Sequence, residues 1–225
     1  MIGKLITIEG IDGSGKKTQT NLIKQYLESK GKKVKVIEFP RYKTEVGKVI
    51  ANYLKGDYGK LNEVPNELIC IAYASDRAGM SSKIRRLLND GYYVIADRYT
   101  YSNLFTAAKL PKDQQYNFIK WIEKMEFKSL NIVKPDYNFY LYLDPEIAYK
   151  RINQRGKRDY QDGKDDIHEQ DINFLSDVTE CYFNIAKDNP KWNIINQIQN
   201  NKQLSKNQIF NKIKKHLDKI IKEGE

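Results

Sequence analysis

The chain reads as an α/β fold, a parallel sheet covered on both faces by helices, and three features predict it. Short apolar runs alternate with helical periodicity along the whole sequence. The first run, Leu5-Ile6-Thr7-Ile8, passes through a glycine-rich loop straight into a helical pattern, Leu22, Ile23, Tyr26 and Leu27. Clusters of charged and aromatic residues close the first three runs, which in such a sheet fall at one carboxyl edge. Strands separated by helices run parallel and are buried on both sides.

Taken in order, Lys4–Glu9 is the first strand and Lys16–Ser29 the first helix, with Gly31 as its stop. Residues 34–39 form a second strand, ending in Phe39-Pro40-Arg41-Tyr42. Helical spacing returns over 46–54, and Gly56-Asp57-Tyr58-Gly59 makes a loop. Asn66–Asn89 then carries Leu68, Ile69, Ala72, Ile84, Leu87 and Leu88 at helical spacing. A third strand, 92–96, is closed by Asp97-Arg98-Tyr99, and helical segments near 101–109 and 113–130 follow. Lys134-Pro135-Asp136 introduces a strand over 137–143, and Pro145 opens a helix to about 155. Residues 156–165 are polar and contain glycine. A helix over 169–188, a strand over 192–195, a polar loop over 200–207 and a helix near 205–222 complete one domain spanning 1–225.

With 225 residues, 40% of them hydrophobic and 30% charged, the chain can bury an ordinary core. No apolar run approaches a membrane span and the N-terminus has no apolar leader core, so no membrane partner is expected. Cys70 and Cys181 sit in apolar helical contexts, which suits a reducing cytoplasm, and no Cys/His spacing suits zinc. The net charge of +10 reads as a solvated lysine-rich surface in preference to a nucleic-acid groove, and it also favours anionic nucleotide ligands.

The loop Gly10-Ile11-Asp12-Gly13-Ser14-Gly15-Lys16-Lys17-Thr18 has the composition of a phosphate-binding loop. Its glycines let successive N–H groups point at phosphate oxygens, the helix N-terminus adds positive potential, and Lys16 reaches the outer phosphates. Lys17 stands where Ser or Thr usually ligates magnesium, with Thr18 one step later. Asp97-Arg98 offers a carboxylate for magnesium or its waters and a guanidinium for a second phosphate; a structural ion pair at a strand end is the plain alternative. Tyr73 and Arg77, four apart on a helix, make either a nucleobase platform or a packing pair. Arg155-Gly156-Lys157-Arg158, with Lys164 beyond, is a solvated run or a lid over about 155–168 that neutralises a transferring phosphoryl group. Asp166 and Glu169 lie three apart at an expected helix start, where capping and a site role are compatible, and His168 falls between them.

Together these segments resemble the thymidylate kinase family. The matching pieces are the 10–18 loop, Phe39-Pro40-Arg41-Tyr42, Asp76-Arg77, Asp97-Arg98-Tyr99, Ser102-Asn103, Lys134-Pro135-Asp136 and the 155–169 region, in family order over most of the chain. The resemblance implies a P-loop kinase fold with five parallel strands, transfer of the ATP γ-phosphoryl to dTMP, Mg2+ and a homodimer. It implies that Gly10, Gly13, Ser14, Gly15, Lys16, Lys17 and Thr18 hold ATP, with Asp12 between the donor and acceptor sites. Arg98, Phe39, Arg41 and Tyr42 are implied at the acceptor phosphate and sugar, Tyr73 on thymine, and Arg77 and Asn103 at its edge. Phe105 is implied beside the sugar, in a segment one residue shorter than the usual pattern, with Asp166, His168 and Glu169 on the sugar and metal side. Some family members carry a catalytic arginine at the position of Gly13; this chain resembles those that supply it from the lid, here Arg155 or Arg158. With Lys17 in place of a hydroxyl, the metal is expected to lean on phosphates, water and Asp12, Asp97 or Glu169.

Two other readings stand beside this one. A different P-loop nucleoside monophosphate or deoxynucleoside kinase would share the loop, but a nucleoside acceptor calls for a carboxylate after the second strand, where this chain has Phe39-Pro40-Arg41. A nucleotide-binding switch without turnover would bind base and phosphate and go no further.

Overall fold

The computed structural model describes residues 3–154, 159–164, 166–169 and 171–223. Five strands, β1 (Lys4–Glu9), β2 (Val34–Glu38), β3 (Tyr93–Asp97), β4 (Tyr137–Tyr142) and β5 (Trp192–Asn196), form a parallel sheet in the order β2–β3–β1–β4–β5. Around it lie α1 (Lys16–Ser29), α2 (Glu45–Leu54), α3 (Asn66–Asn89), α4 (Leu104–Ala108), α5 (Lys112–Lys124), α6 (Pro145–Gln154), α7 (Ile172–Ala186) and α8 (Lys206–Lys222).

The pleat of β1 explains the layering, because successive side chains point to opposite faces. Ile6 and Ile8 pack with Ile23 and Leu27 of α1 and with Ile213 and Leu217 of α8. Leu5 faces the other way, into a cluster with Ile37, Ala74, Ile84 and Val94 under α3. A third apolar group, including Tyr73, Leu104, Phe105, Tyr140, Phe174 and Tyr182, joins α3, α4 and α7 above the sheet. In the ladder, Asp97 pairs with Ile8 and with Glu38, and Glu9 pairs with Tyr140. That register gathers the ends of four strands at one edge.

The structure corrects several expected boundaries. Asp97 is the last rung of β3 and not the residue after it. The segment expected as a helix over 101–109 begins as a 3-10 turn, Thr100–Asn103, because the Ser102 N–H reaches Tyr99 O three residues back (3.0 Å). The helix expected over 113–130 stops at Lys124; Met125–Ser129 is a π turn, closed by Leu130 N–H on Met125 O (2.9 Å), with Glu126 buried. Asp166 and Glu169 do not start a helix. Asp171 does, its carboxylate accepting the N–H groups of Asn173 and Phe174 ahead of α7. The 200–207 loop contains half of a short hairpin, β6 (Ile198–Gln199) with β7 (Lys202–Gln203), and Ser205 then forms a capping box with Gln208.

The turn between β2 and α2 is built tightly. Thr44 Oγ1 accepts from Gly47 N–H at 3.0 Å, and a Cβ on Gly47 would lie 1.9 Å from Arg41 O. Gly47→Ala therefore has to displace the 39–42 loop, and overpacking of this kind costs about 1–3 kcal/mol. The denaturation midpoint should drop accordingly. An unchanged midpoint in urea would show that the loop moves aside freely.

Candidate active site

The phosphate-binding loop leaves β1 at Gly10 and enters α1 at Lys16 with Gly13 (φ 77°) and Gly15 (φ 81°) in left-handed conformations. Lys16 is buried, and its ammonium donates to Gly10 O (2.9 Å) and Ile11 O (2.8 Å), inside the curl of the loop. Ser14 Oγ is buried and finds no hydrogen-bond partner among the described residues. A hydroxyl so placed could donate to a phosphate oxygen. Lys17 and Thr18 are both exposed. Helix α6 lies against the loop: Arg151 donates to Gly13 O at 3.0 Å, and a Cβ on Gly13 would come within 2.7 Å of Ala148 O. The close approach of α6 gives Gly13 a packing reason as well as a conformational one.

Beside the loop stands Arg98. It is a non-glycine residue with φ 67°, a conformation that needs support from its surroundings. Its own N–H bonds Ile8 O (3.0 Å), and the next N–H, of Tyr99, bonds Glu9 Oε1 (2.9 Å). Glu9 is fully buried and also accepts from Ser102 Oγ (2.7 Å) and Tyr182 OH (3.0 Å). Desolvation raises its pKa, against the pull of these donors and of Arg98. So held, Arg98 turns its guanidinium to Asp12 Oδ1 (2.7 Å) and toward Gly10 O (3.4 Å). Asp97 is buried, and burial raises its pKa against the attraction of Lys16 and Arg98.

A cleft with about 600 Å3 of space, part of it open to solvent, begins at Gly10, Ile11 and Asp12. Its wall includes Arg98, Tyr42, Tyr73, Phe105, Asp166 and His168, all expected from the sequence. Tyr42 stacks on Tyr160 at 4.1 Å, while Tyr73 meets Phe105 edge to face at 5.3 Å. The sequence reading missed Ser102, Tyr160, Phe174 and Tyr182 as wall residues. Tyrosines and phenylalanines at helical spacing carry no signal that separates a cleft wall from a core.

Other expected residues lie elsewhere. Phe39 is buried against Tyr99 at 5.7 Å. Arg41 is bound to Asp76, through N–H to Oδ2 (2.9 Å), Nε to Oδ1 (2.8 Å) and Nη2 to the main-chain oxygen (2.8 Å). Arg77 and Asn103 are not among the described residues of the wall; both are bound to Glu126, which the sequence did not single out. Glu169 is buried next to this region. Arg155 and Arg158 lie outside the described residues. No group of three or more His, Cys, Asp or Glu among the described residues is placed to hold a metal by itself.

Comparison with known proteins points one way. A family model described as thymidylate kinase matches residues 8–209. The thymidylate kinase of Mycobacterium tuberculosis is 32% identical over 184 residues, covering 81% of this chain and 85% of that one. That of Caldicellulosiruptor saccharolyticus is 33% identical over 183 residues, with the same two coverages, 81% and 85%. The solved structure of thymidylate kinase from Candida albicans superposes with a TM-score of 0.74 at 27% identity, covering 97% of this chain and 92% of that one.

The 166–169 turn carries two opposed titrations. Asp166 is buried and is pushed up to about 7, by desolvation first and then by Glu169 and Asp12, although Tyr160 OH (2.6 Å) and His168 N–H (2.8 Å) donate to it. The His168 ring is enclosed by Phe105, Phe174 and Tyr53, and desolvation lowers it to about 3. Below about pH 6.5 the unfolded imidazole takes up a proton that the folded one refuses, so its contribution to stability is lost as pH falls. For Asp166 the folded state keeps a proton that the unfolded chain releases above about pH 3.9, so stability falls as pH rises toward 7. His168→Gln removes only the first slope. Between pH 6.5 and 5 the unmodified chain should lose about 2 kcal/mol relative to this variant. Urea unfolding at the two pH values checks it, and a constant gap would show that the imidazole titrates as it does in water.

Proposed function

The chain belongs to the thymidylate kinase family, and on that premise we propose how its residues transfer the γ-phosphoryl group of ATP to dTMP. A phosphate oxygen of dTMP attacks the γ-phosphorus in line, the bond from that phosphorus to the β,γ-bridging oxygen breaks, and dTDP and ADP form. The observation that carries this reading is the cleft itself, which opens directly onto Gly10–Asp12 of the loop with Arg98 on its wall. Donor and acceptor phosphates therefore meet at one place, and positioning with charge neutralisation supplies the catalysis.

ATP phosphates lie on the amides of Gly10, Gly13, Ser14, Gly15, Lys16, Lys17 and Thr18, with Lys16 exchanging the loop carbonyls for phosphate oxygens. Arg98 takes the dTMP phosphate, and Asp12, now its ion-pair partner, faces the junction of the two substrates. Tyr73 stacks on thymine, and Arg77 and Asn103, held by Glu126 and outside the described cleft wall, meet its edge when the base enters beside Tyr73. Phe105, His168 and Asp166 flank the sugar together with Tyr42. Arg41 fixes the 39–42 loop through Asp76 and adds positive charge behind Phe39. Arg155 and Arg158, which follow α6 in the chain, supply the cation that Gly13 cannot.

The carboxylates fit a magnesium ion held mainly by the nucleotide. Asp97 and Asp166 are both raised in part by the charge of Asp12, and Asp166 also by Glu169, so a divalent cation near them relieves a standing repulsion. Asp12, Asp97 and Glu169 would hold it directly or through water. When bound, the ion neutralises phosphate oxygens. Homodimerisation is supported by Val49 on α2 and Leu68 and Ile71 on α3, exposed by 44%, 60% and 44% on two helices that pack together. A cytoplasmic setting suits the two buried free cysteines. Among the described residues no helix is long and apolar enough to cross a membrane.

ADP release with MgATP should be well above background for dTMP and lower for dUMP, dCMP, AMP and thymidine, each assayed alone. Arg98→Ala should lower kcat/KM for dTMP about a hundredfold or more. Binding of ATP and dTMP with no turnover would support the switch reading instead. The double variant Leu68→Asp, Ile71→Asp should run as a monomer in light scattering where the unmodified chain runs as a dimer; an unchanged mass would place the dimer elsewhere.

A further inference from the structure

Glu126 is fully buried, and its two oxygens accept four donors. Oε2 takes Arg77 Nε (2.8 Å) and Thr100 Oγ1 (2.7 Å); Oε1 takes Arg77 Nη2 (2.5 Å) and Asn103 Nδ2 (2.9 Å). All the lone-pair positions of an ionised carboxylate are then used. An ionised carboxylate can only accept. The Asn103 amide must therefore turn its nitrogen to Glu126, and that nitrogen also lies 3.4 Å from Cys70 O. Its oxygen is left over: Asn103 Oδ1 is buried with no hydrogen-bond partner among the described residues. In a native protein an unpaired buried acceptor calls for an explanation. Arg77 presents a matching remainder, since Nε and Nη2 are spent on Glu126 and Nη1 is the amino group left outside the pair.

We propose that Glu126 is a positioning residue that sets the hydrogen-bond polarity of the base-reading pair. By consuming donors from both side chains it leaves one acceptor, Asn103 Oδ1, and one donor, Arg77 Nη1. Thymine offers the complement on adjacent atoms, the N3–H donor and the O4 acceptor. Cytosine offers the inverse, with N3 accepting and the 4-amino group donating. The residue that sets the preference never touches the base. It lies on the π turn Met125–Ser129, behind the wall formed by Tyr73, Ser102 and Phe105, which neighbour Arg77 and Asn103 in the chain. The proposal rests on the reading that Arg77 and Asn103 face the base.

Glu126→Gln tests it, because a glutamine amide can donate toward Asn103 and let that amide turn over. The ratio of kcat/KM for dTMP over dCMP should fall about tenfold or more. The ratio of dTMP over dUMP should hold, since uracil and thymine share N3–H and O4; a fall in both ratios would mean general disruption and would overturn the proposal. Asn103→Ala separates the two levels of inference. If Asn103→Ala leaves the dTMP/dCMP ratio intact, the base-reading assignment fails. If it collapses that ratio while Glu126→Gln does not, the assignment stands and the role of Glu126 fails. Should Glu126→Gln not fold, side-chain amide NMR of the unmodified protein decides. The Asn103 NH2 protons should be protected from exchange both without and with dTMP, and free exchange of those protons in either state would overturn the proposal.

Discussion

The carboxylate of Glu9 is the point on which the edge of the sheet depends. It ends the central strand, lies out of water, and binds a backbone N–H just past β3, a hydroxyl one turn further on, and a tyrosine of α7. A buried charge is tolerated only where donors surround it, so these three elements are fixed relative to β1 by the cost of leaving Glu9 unsatisfied. Arg98 depends on that arrangement. Its left-handed backbone is clamped on both sides, by Ile8 O and by Glu9 through Tyr99, which aims the guanidinium at Asp12 and the loop.

Glu126 repeats the same logic one layer back. Both carboxylates sit at places where the chain leaves regular geometry, Glu9 at the exit of β1 and Glu126 in a π turn after α5. Each converts a desolvation penalty into specificity of position, since every donor is bound to a particular oxygen. Satisfaction is incomplete at several buried atoms spread over the described residues, among them Ser14 Oγ in the glycine-rich loop and Asn103 Oδ1 beside Glu126. Asp166, which lines the cleft, and Asp97, at the end of β3, both have raised pKa values. An unpartnered Ser14 Oγ and carboxylates raised by burial and by one another's charge give this edge of the sheet the electrostatic features of a functional site.

The fold, with its glycine-rich loop between β1 and α1, was legible in the sequence because its signals are local. Strand, glycine-rich loop and helix are contiguous, and the alternation of apolar runs fixes a parallel sheet. Tyr42, Tyr73, Arg98, Phe105, Asp166 and His168 could be named because each lies in a short run with recognisable composition, and all six line the cleft. Arg77 and Asn103 were named for the same reason, yet their local setting says nothing of Glu126, 49 and 23 residues away along the chain. Asp166 and Glu169 looked like helix-capping residues because a carboxylate before an apolar run is ambiguous by a few positions; Asp171 does the capping.

By itself, then, the sequence determined the order of strands and helices, the phosphate-binding loop and the residue types at each strand end, since all of these follow from nearest neighbours and periodicity. The tertiary structure alone decided which charges are paired with which, that Glu9 and Glu126 are the buried acceptors behind the site, that α6 closes on Gly13, and which aromatic rings face the cleft. Hydrogen bonding and desolvation act between groups close in space and distant in sequence, and only the packed sheet brings those groups together.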